Sequence, residues 1–423
     1  MTDKKNILLI GEHAKESALA WKLLQSPCLA TLYTSPGVYP GAIHVTGLDP
    51  RDFEAVADFV EKQEIDLVVA GDAKEIVDGI ADALSETRAQ VIAPDAECAR
   101  LEGSKEFAKE FMSMNAIPSA RFMTVTTDTY DEGVGFLESL PGPYVLKADG
   151  LASGRGVVIV HSLADAKDCL RDMLDGLFGE ASSTVVLEEY LDGKECSVFV
   201  ATDSKDYIIL PTARDYKRLL DGDNGPNTAG MGSISPAPGA TEEFISKVRT
   251  RIIEPTFRGL EAMGLKYRGF LYFGIIDIDG EPMLIEYNVR LGDPEAQAII
   301  PRIKNDMVDL LIDIAEEQIN RTVIQVSDDT TVSVVVAAPG YPSHTVVDNL
   351  VTGLSDAIGM GCYVFPGEMK KNPTGHLVSA GGRILTVVAA GKNYEEAARK
   401  ALEGVEAIET DGKQFRSDIG LYI

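Results

Sequence analysis

Basic residues are scarce in this 423-residue chain. Lysine and arginine together number 39 against 66 aspartates and glutamates, which gives a formal net charge of −27. Proteins that bind nucleic acid without regard to its sequence need a basic surface. The composition therefore predicts no nucleic-acid partner, although a small nucleotide can still bind where local lysines, arginines and backbone N–H groups outweigh the overall charge.

Cysteines are also few, and no two of them form a CxxC pair. They are Cys28, Cys98, Cys169, Cys196 and Cys362. This spacing suggests neither a zinc site nor a disulfide framework, and the five histidines show no metal-ligand spacing either. No apolar run approaches the ~20 residues that a membrane-spanning helix needs. We therefore expect a cytoplasmic protein with no membrane partner.

Length and pattern together predict roughly three domains. In residues 1–103, short apolar runs such as 6–10 alternate with helical patterns such as 14–24 and 74–86. This alternation is typical of a doubly wound α/β domain, in which helices cover both faces of a parallel sheet. Residues 104–325 mix β runs with helices, and residues 326–423 predict a small, mixed β domain.

The segment that says most about chemistry follows the apolar run 283–285. Side chains alternate along a strand, so Glu286, Asn288 and Arg290 are predicted to share one face. Carboxylate and amide oxygens suit a hard divalent cation, and a guanidinium fits phosphate as a fork. The segment therefore suggests a site that holds a metal ion against phosphate. A solvated edge strand with its polar residues outward is the alternative.

A glycine-rich hairpin is predicted between two strands. It has three glycines within residues 150–156, and its N–H groups can cover a row of phosphates. Lys147 lies on the strand before it and can reach the same phosphates. The pattern lacks GK[ST] and a following helix, so it is not a Walker A loop. On its own it is equally compatible with a plain turn.

Two further polar segments are candidates for substrate contacts. Residues 188–197 predict a strand, a turn and a second strand, a corner that can offer backbone groups to adenine and a carboxylate to ribose; an acidic surface hairpin is the alternative. Residues 215–232 form a polar, glycine-rich stretch. Long ordered loops of this kind are usually functional, and a flexible surface loop is the alternative.

In this order, the segments resemble the ATP-grasp ligases, and in particular the phosphoribosylamine–glycine ligase (glycinamide ribonucleotide synthetase) family of purine synthesis. The resemblance covers nearly the whole chain and is carried by 101–105 (LEGSK), 147–152 (KADGLA), 187–189 (LEE), 225–228 (GPNT) and 286–295 (EYNVRLGDPE), with 18–23, 381–385 and 416–420. It implies an N-terminal pre-ATP-grasp domain (1–103), a central ATP-grasp domain (104–325) with a mobile lid at about 120–195, and a C-terminal domain (326–423).

The resemblance also implies a reaction. ATP, with Mg²⁺ or Mn²⁺, converts the carboxylate of glycine or a similar small acid into an acyl phosphate, which an amine then attacks. ATP contacts are implied for Lys105, Lys147, Gly150, Ser153, Gly154, Arg155, Gly156, Glu188, Leu191 and Glu195, and metal contacts for Glu286 and Asn288. Catalytic roles are implied for Arg290, Asp293 and Lys217, and substrate contacts for Asp215, Asn227, Thr228 and Gly11. We expect a monomer or a small homo-oligomer.

Four segments depart from the family pattern, and all of them belong to the expected amine pocket. They are 11–18 (GEHAKESA for GGGGREHA), 36–38 (PGV for PGN), 71–73 (GDA for GPE) and 366–369 (PGEM for HAGT). Glu12 thereby brings a carboxylate to a helix N-terminus that is expected to bind a phosphate dianion. Three hypotheses remain open: a divergent phosphoribosylamine–glycine ligase, a paralogue that uses a different amine, and a non-catalytic ATP-binding relative.

Overall fold

The computed structural model describes residues 4–151 and 156–421. The predicted ATP contacts Ser153, Gly154 and Arg155 lie outside these residues. Within the described ranges, no helix is both long and apolar enough to cross a lipid bilayer.

Five parallel strands with intervening helices form the first domain. Its elements are β1 (Lys5–Gly11), α1 (Ala14–Leu23), β2 (Leu29–Pro36), β3 (Ile43–His44), α2 (Phe53–Lys62), β4 (Leu67–Ala70), α3 (Ala73–Val77), α4 (Ile80–Ala83), β5 (Gln90–Ile92) and α5 (Ala96–Gly103). The strand order β3-β2-β1-β4-β5 confirms the doubly wound prediction. The single helix predicted at 74–86 is wrong, because Gly79, with φ +93°, separates α3 from α4.

A separate antiparallel sheet follows the helix α6 (Lys105–Met114). Its surroundings comprise β6 (Phe122–Thr126), α7 (Tyr130–Glu138), β7 (Tyr144–Ala148), β8 (Val157–Val160), α8 (Leu163–Leu174) and β9 (Thr184–Glu189). The strand order is β6-β9-β7-β8. Leu146, Leu170 and Leu187 are fully buried in a core that this sheet forms with α7 and α8. This unit coincides with the region predicted to be a lid.

The central part of the chain contains a second antiparallel sheet. Its elements are β10 (Lys194–Asp203), β11 (Tyr207–Ile209), β12 (Arg214–Asp215), β13 (Arg218–Leu220), β14 (Asn224–Asn227), β15 (Gly232–Ser235), α9 (Glu242–Val248), α10 (Glu254–Ala262), β16 (Arg268–Ile278), β17 (Glu281–Asn288), α11 (Glu295–Ile299) and α12 (Met307–Ala315). The sheet order is β11-β10-β16-β17. Its long strands β10 and β16 pair from Lys194 to Asp203 without a bulge, which provides a rigid floor for the polar residues of β17.

The C-terminal region adds a third antiparallel sheet. Its elements are β18 (Thr330–Ala337), α13 (Leu354–Gly359), β19 (Tyr363–Pro366), β20 (Met369–Lys371), β21 (Leu377–Ser379), β22 (Arg383–Gly391) and α14 (Tyr394–Ala407). The sheet order is β12-β15-β18-β22-β19. Because β12 and β15 come from residues 214–235, the sheet extends across the predicted domain boundary at residue 325. This joins the polar 215–232 stretch to the C-terminal region.

Arg416 ties the hairpin β13–β14 to the C-terminal region. The Arg416 side chain is 1% exposed and donates to Asp418 Oδ1 and Oδ2, both at 2.7 Å, and to Asp223 Oδ1 at 2.6 Å. Asp418 Oδ2 also accepts a hydrogen bond from the Gly222 N–H at 2.8 Å. A bidentate guanidinium–carboxylate pair has a fixed geometry, so this contact holds the turn of the hairpin in place.

Candidate active site

Lysine and glutamate side chains form a buried cluster at the end of β7 that precedes the glycine-rich segment. Glu188 on β9 lies between Lys147 on β7, at 2.7 Å, and Lys109 on α6, at 2.8 Å. Burial alone would raise the pKa of Glu188, but the two lysines outweigh it and lower the pKa. Glu188 is therefore ionised, and it anchors Lys147 at the start of the hairpin. The implied contact of Glu188 with the adenine end of ATP stays a prediction.

The N-terminus of α6 is fastened to the same hairpin. Ser104 caps the helix by accepting a hydrogen bond from the Phe107 N–H, and the Asp149 carboxylate accepts from the Glu106 N–H at 2.7 Å. Lys105, the first residue of the helix, donates to the Gly150 carbonyl at 3.3 Å. Burial lowers the pKa of Lys105, and the nearby Lys147 adds to this, while Glu286 opposes it. A helix N-terminus and two ammonium groups thus converge where an anion is expected.

Glu286 and Asn288 occupy the predicted face of β17. Between them, Tyr287 is 2% exposed and packs into the core, where its hydroxyl contacts Thr256 at 2.8 Å. This anchor directs the two polar side chains the other way, as the strand alternation predicted. Burial alone would raise the pKa of Glu286, but Lys217, Lys147 and Lys105 lower it. An ionised carboxylate beside an amide oxygen fits the donor set of a hard divalent cation.

The prediction that Arg290 lies on the same strand is wrong, because β17 ends at Asn288. The Arg290 guanidinium nevertheless lies beside Asn288. Its Nη2 atom donates to Asn288 Oδ1 and to Glu102 Oε1, both at 3.1 Å. The other oxygen of Glu102 accepts from the Val289 N–H at 2.7 Å. Glu102 therefore fixes both the backbone after the strand and the guanidinium.

Glu195 and Lys217 form an ion pair at one side of Glu286. Their charged atoms are 2.6 Å apart, and both side chains line a cavity with Ser197, Tyr272 and Glu286. Loss of hydration alone would lower the pKa of Lys217, but Glu195, Glu286 and then Asp215 raise it above its usual value. Lys217 is therefore permanently charged. It pairs directly with Glu195, the predicted ribose carboxylate, and lines the same cavity as Glu286, the predicted metal ligand.

Asp215 lies beside this pair on β12. Its Oδ1 atom is buried and has no hydrogen-bond partner within the described part of the chain. Burial, and then the charge of Glu295, raise the pKa of Asp215 well above its usual value, while Lys217 opposes them. A Cβ atom on Gly230 would come within 2.8 Å of Oδ1, so glycine is needed at that position. A cationic group placed against Asp215 would stabilise its charged form.

Two of the three other predicted substrate contacts, Asn227 and Thr228, lie near Lys217. Thr228 donates its N–H to the Lys217 carbonyl at 2.8 Å and its hydroxyl to the same oxygen at 2.9 Å. Asn227 ends β14 and is exposed. Leu191 lies in the turn between β9 and β10, and Gly156 immediately precedes β8. The structure therefore brings Asp215, Lys217 and Thr228 together, with Asn227 at the rim.

Asp293 is held on the C-terminal side of the site. Arg383 Nη1 lies 3.0 Å from Asp293 Oδ1, and the Gln297 amide donates to the same oxygen at 2.8 Å. Burial alone would raise the pKa of Asp293, but Arg383, followed by Lys15 and His13, lowers it to about 2. The Asp293 Oδ2 atom is buried with no hydrogen-bond partner among residues 4–151 and 156–421. An ionised carboxylate oxygen is thus available for a donor from a substrate.

The four segments that depart from the family pattern meet in one place. The Gly37 N–H donates to the Gly11 carbonyl at 3.1 Å, and His13 lies 3.6 Å from Asp72 and 3.8 Å from Glu368. One cavity between the first domain and the C-terminal region is lined by Ala380 and by residues from three of these segments: Glu12, Pro36, Gly37, Val38, Gly367, Glu368 and Met369. Its wall carries two carboxylates.

Lys15 supplies positive charge near this cavity, but it is already paired. Its ammonium group lies 2.9 Å from Glu16 Oε1 and 3.1 Å from Asp72 Oδ1, and its side chain is 6% exposed. The Glu16 carboxylate, in the first turn of α1, also accepts a hydrogen bond from the His13 N–H at 3.0 Å. A carboxylate of the helix itself therefore caps the N-terminus of α1. The predicted Gly11 contact therefore lies at a helix N-terminus whose charge is largely balanced within the protein.

Several residues of these contacts had no assigned role in the sequence analysis, among them Glu102, Lys109, Glu368 and Arg383. The spacing of Lys105 and Lys109 is i, i+4, which places both on one face of α6, so Lys109 could have been noticed. Glu102, Glu368 and Arg383 lie within motifs that the sequence analysis compared with the family. Their partners are far away in sequence, and no local pattern points to them.

Comparison with known proteins gives matches over the whole described length. Family models for the N domain, the ATP-grasp (A) domain and the C domain of phosphoribosylglycinamide synthetase match residues 5–102, 103–296 and 331–422. The phosphoribosylamine–glycine ligase of Xanthomonas axonopodis pv. citri is 39% identical over 98% of this chain and 97% of its own length. That of Escherichia coli K12 is 37% identical over the same shares.

Solved structures give the same result. The crystal structure of phosphoribosylamine–glycine ligase from Thermotoga maritima matches with a TM-score of 0.85 and 32% identity, covering 98% of this chain and 99% of that one. A biotin carboxylase from Campylobacter jejuni matches with a TM-score of 0.72 and 16% identity, covering 99% and 95%. The second match shows a common fold alone.

Proposed function

This chain belongs to the phosphoribosylglycinamide synthetase family, and we propose that it joins glycine to 5-phosphoribosylamine with cleavage of ATP. The products are glycinamide ribonucleotide, ADP and phosphate, as in purine biosynthesis. The observation that carries the proposal is the convergence of Lys105, Lys147 and Lys217 on the ionised Glu286. These are the charges that an ATP-dependent carboxylate activation requires. The named relatives offer no support for a different amine or for a non-catalytic role.

In the first step, a carboxylate oxygen of glycine attacks the γ-phosphorus of ATP, and ADP leaves. Lys105 and Lys147 hold the phosphate chain at the N-terminus of α6 and at the hairpin, and Arg290 offsets charge on the transferred group. Glu286 and Asn288 would hold Mg²⁺ or Mn²⁺, which would draw electrons from the phosphate oxygens. Glu195, fixed by Lys217, is available to the ribose hydroxyls.

Asp215 orients the amino acid. Its buried Oδ1 atom has no hydrogen-bond partner among the residues that the structure describes, and the α-ammonium of glycine can donate to it. Lys217, whose backbone carbonyl accepts two hydrogen bonds from Thr228, supplies a positive charge for the glycine carboxylate, which has to face the nucleotide. Glycine then needs no further side-chain pocket, in keeping with the close approach of Gly230 to Asp215.

In the second step, the amine nitrogen attacks the acyl carbon, and inorganic phosphate leaves with the bonding electrons. The amine loses a proton as the amide forms, and the departing phosphate takes up that proton. Asp293 Oδ2 can accept a hydrogen bond from the attacking N–H, because Arg383 and Gln297 occupy only the other oxygen. Exclusion of water from this step protects the acyl phosphate from hydrolysis.

The proposal is tested by coupling ADP release to a spectroscopic assay, with phosphoribosylamine formed in situ from ribose 5-phosphate and ammonia. ADP release should require ATP, glycine and the ribosylamine together, and glycinamide ribonucleotide should be found by mass spectrometry. Matched reactions omit glycine or replace the ribosylamine by other primary amines. ADP release only with another amine would overturn the acceptor, and nucleotide binding without any turnover would overturn the enzymatic role.

The carboxylates of the amine cavity lead to a prediction about affinity. Glu12→Gln removes one negative charge from the cavity that would receive the 5′-phosphate, so the KM for phosphoribosylamine should fall by roughly two- to fivefold. The difference should shrink as the salt concentration rises, because the Glu12 carboxylate is solvent-exposed. Initial rates at several acceptor concentrations measure this. Glu54→Gln, an exposed glutamate on α2 of the same domain, is the control, and an unchanged or higher KM for Glu12→Gln would contradict the phosphate position.

Two further properties belong to this proposal. We place the enzyme in the cytoplasm, because its substrates are soluble metabolites. We also propose that it is a monomer or a small homo-oligomer. Light scattering of the purified protein measures the oligomeric state, and a mass corresponding to a large assembly would contradict it.

A further inference from the structure

Lys109 is the most deeply buried cation next to the nucleotide residues, and the reaction described above gives it no task. It lies one helical turn after Lys105 on α6, and its side chain is 2% exposed. Its ammonium group is 2.8 Å from Glu188 Oε2. The other oxygen of Glu188 is 2.7 Å from Lys147 Nζ, and these two side chains are 4% and 6% exposed. One carboxylate is therefore shared by two lysines, away from solvent.

The charge of this trio differs from that of an ordinary ion pair. Two ammonium groups and one carboxylate sum to +1, whereas Lys147 and Glu188 alone would sum to zero. Taking three charges out of water is costly, so a merely structural role would be served as well by apolar side chains of similar volume. The excess positive charge lies at the base of the hairpin, beside the N-terminus of α6.

We propose that Lys109 is a positioning residue for nucleotide binding: by sharing Glu188, it keeps Lys147 in place without neutralising it. Lys147 then presents a net positive charge to the phosphates. The proposal rests on the proposed function in one respect, the assignment of Lys147 to the phosphates of ATP. It adds the reason why a lysine that is already paired with a glutamate can still attract an anion.

Four variants separate this charge effect from packing. Lys109→Met leaves the trio with a net charge of zero, and Glu188→Gln raises it to +2. The double variant Lys109→Met/Glu188→Gln restores +1 on Lys147 alone, and Lys109→Arg keeps the original charge. If Lys109 served only packing, the double variant would be damaged more than either single variant.

Calorimetric titration with Mg·ADP provides the measurement, since it needs no turnover. Lys109→Met should weaken binding by roughly tenfold or more, because one positive charge of the trio is lost at low effective dielectric. Lys109→Arg should stay within about threefold of the unaltered protein. Glu188→Gln and the double variant keep a positive charge but lose the anchor of Lys147, so each should bind more weakly than the unaltered protein but lose less than the roughly tenfold expected for Lys109→Met. The loss in Lys109→Met should fall mainly in the KM for ATP.

Lys400→Met and Lys400→Met/Glu396→Gln serve as matched controls, because Lys400 and Glu396 form a 2.7 Å pair on the remote helix α14. Both should leave Mg·ADP affinity unchanged. If Lys109→Met does not fold, as thermal unfolding will reveal, the double variant, Glu188→Gln and Lys109→Arg still decide the matter. A double variant that folds but binds more weakly than Lys109→Met overturns the proposal, as does unchanged affinity in Lys109→Met.

Failure of the proposed function would be recognised separately. If the unaltered protein binds Mg·ADP but forms no glycinamide ribonucleotide, the function fails while the order of affinities still tests Lys109. If product forms and the double variant does not recover nucleotide affinity, the function stands and the role of Lys109 fails.

Discussion

Glu286→Ala should reduce ADP formation by roughly three orders of magnitude while the protein remains folded. The carboxylate is the ionised oxygen donor among Lys105, Lys147 and Lys217. Its removal takes away the proposed principal ligand of a divalent cation but leaves the lysines that we propose attract the phosphates. We therefore expect binding of free ADP to persist and to lose its dependence on magnesium. Titrations with and without Mg²⁺, together with the rate of ADP release, measure both effects.

Glu281→Ala is the matched control for this variant. Glu281 begins the same strand, but its half-exposed carboxylate pairs with Lys247 and Arg251 at the surface. Exposed pairs contribute little to stability, so turnover and magnesium dependence should be those of the unaltered protein. Wild-type turnover in Glu286→Ala would show that the metal ligand lies elsewhere.

Asp293→Asn should have the second largest effect, on both catalysis and stability. The substitution leaves the guanidinium of Arg383, which is 13% exposed, without its ionic partner. Breaking one side of a buried pair costs roughly 3–5 kcal/mol. If Asp293 accepts a hydrogen bond from the attacking amine, kcat should also fall roughly a hundredfold. Thermal unfolding and steady-state rates measure the two parts.

The stability difference between the wild type and Asp293→Asn should depend on pH. The pKa of Asp293 is about 2, below its usual value near 4. Such a group stabilises the fold fully above its unfolded pKa, and this contribution is lost as the pH falls through the folded pKa. The difference in unfolding temperature should thus be constant above about pH 5 and shrink between pH 4 and 2.

Asp348→Asn, in the exposed pair with Lys370, is the control for this series and should change the unfolding temperature little at any pH. A difference for Asp293→Asn that grows as the solution becomes more acidic would contradict the assignment of the ionised form.

Local patterns in the sequence were sufficient for the elements whose cause is local. The apolar run at 6–10 became β1, and the helical pattern at 14–24 became α1 with its end displaced by one residue. The alternation around Tyr287 correctly separated core from site, because a strand has a period of two whatever it packs against. The helix at 74–86 failed at one residue, Gly79, whose left-handed backbone ends α3.

Contacts between distant segments could not be derived in this way. Asp293 and Arg383 are ninety residues apart, and nothing in the spacing of either residue predicts that they pair. The same holds for His13 with Glu368, and for the two strands from 214–235 that join the C-terminal sheet. Resemblance to a family supplied the roles of single residues, but the exchange of charge among Lys109, Glu188 and Lys147 needed atomic positions.

The contact between Arg416 and the hairpin β13–β14 also affects the order in which parts of the chain can fold during synthesis. Arg416 is translated 193 residues after Asp223, the carboxylate that it holds. At ordinary rates of synthesis that interval is roughly 10–40 s. During this interval the hairpin that leads into Asn227 and Thr228 lacks the hydrogen bond between Arg416 and Asp223. On the proposed site assignments, a nascent chain can thus complete its nucleotide site well before its amino-acid site, and ligation must wait until residues 416–418 have left the ribosome.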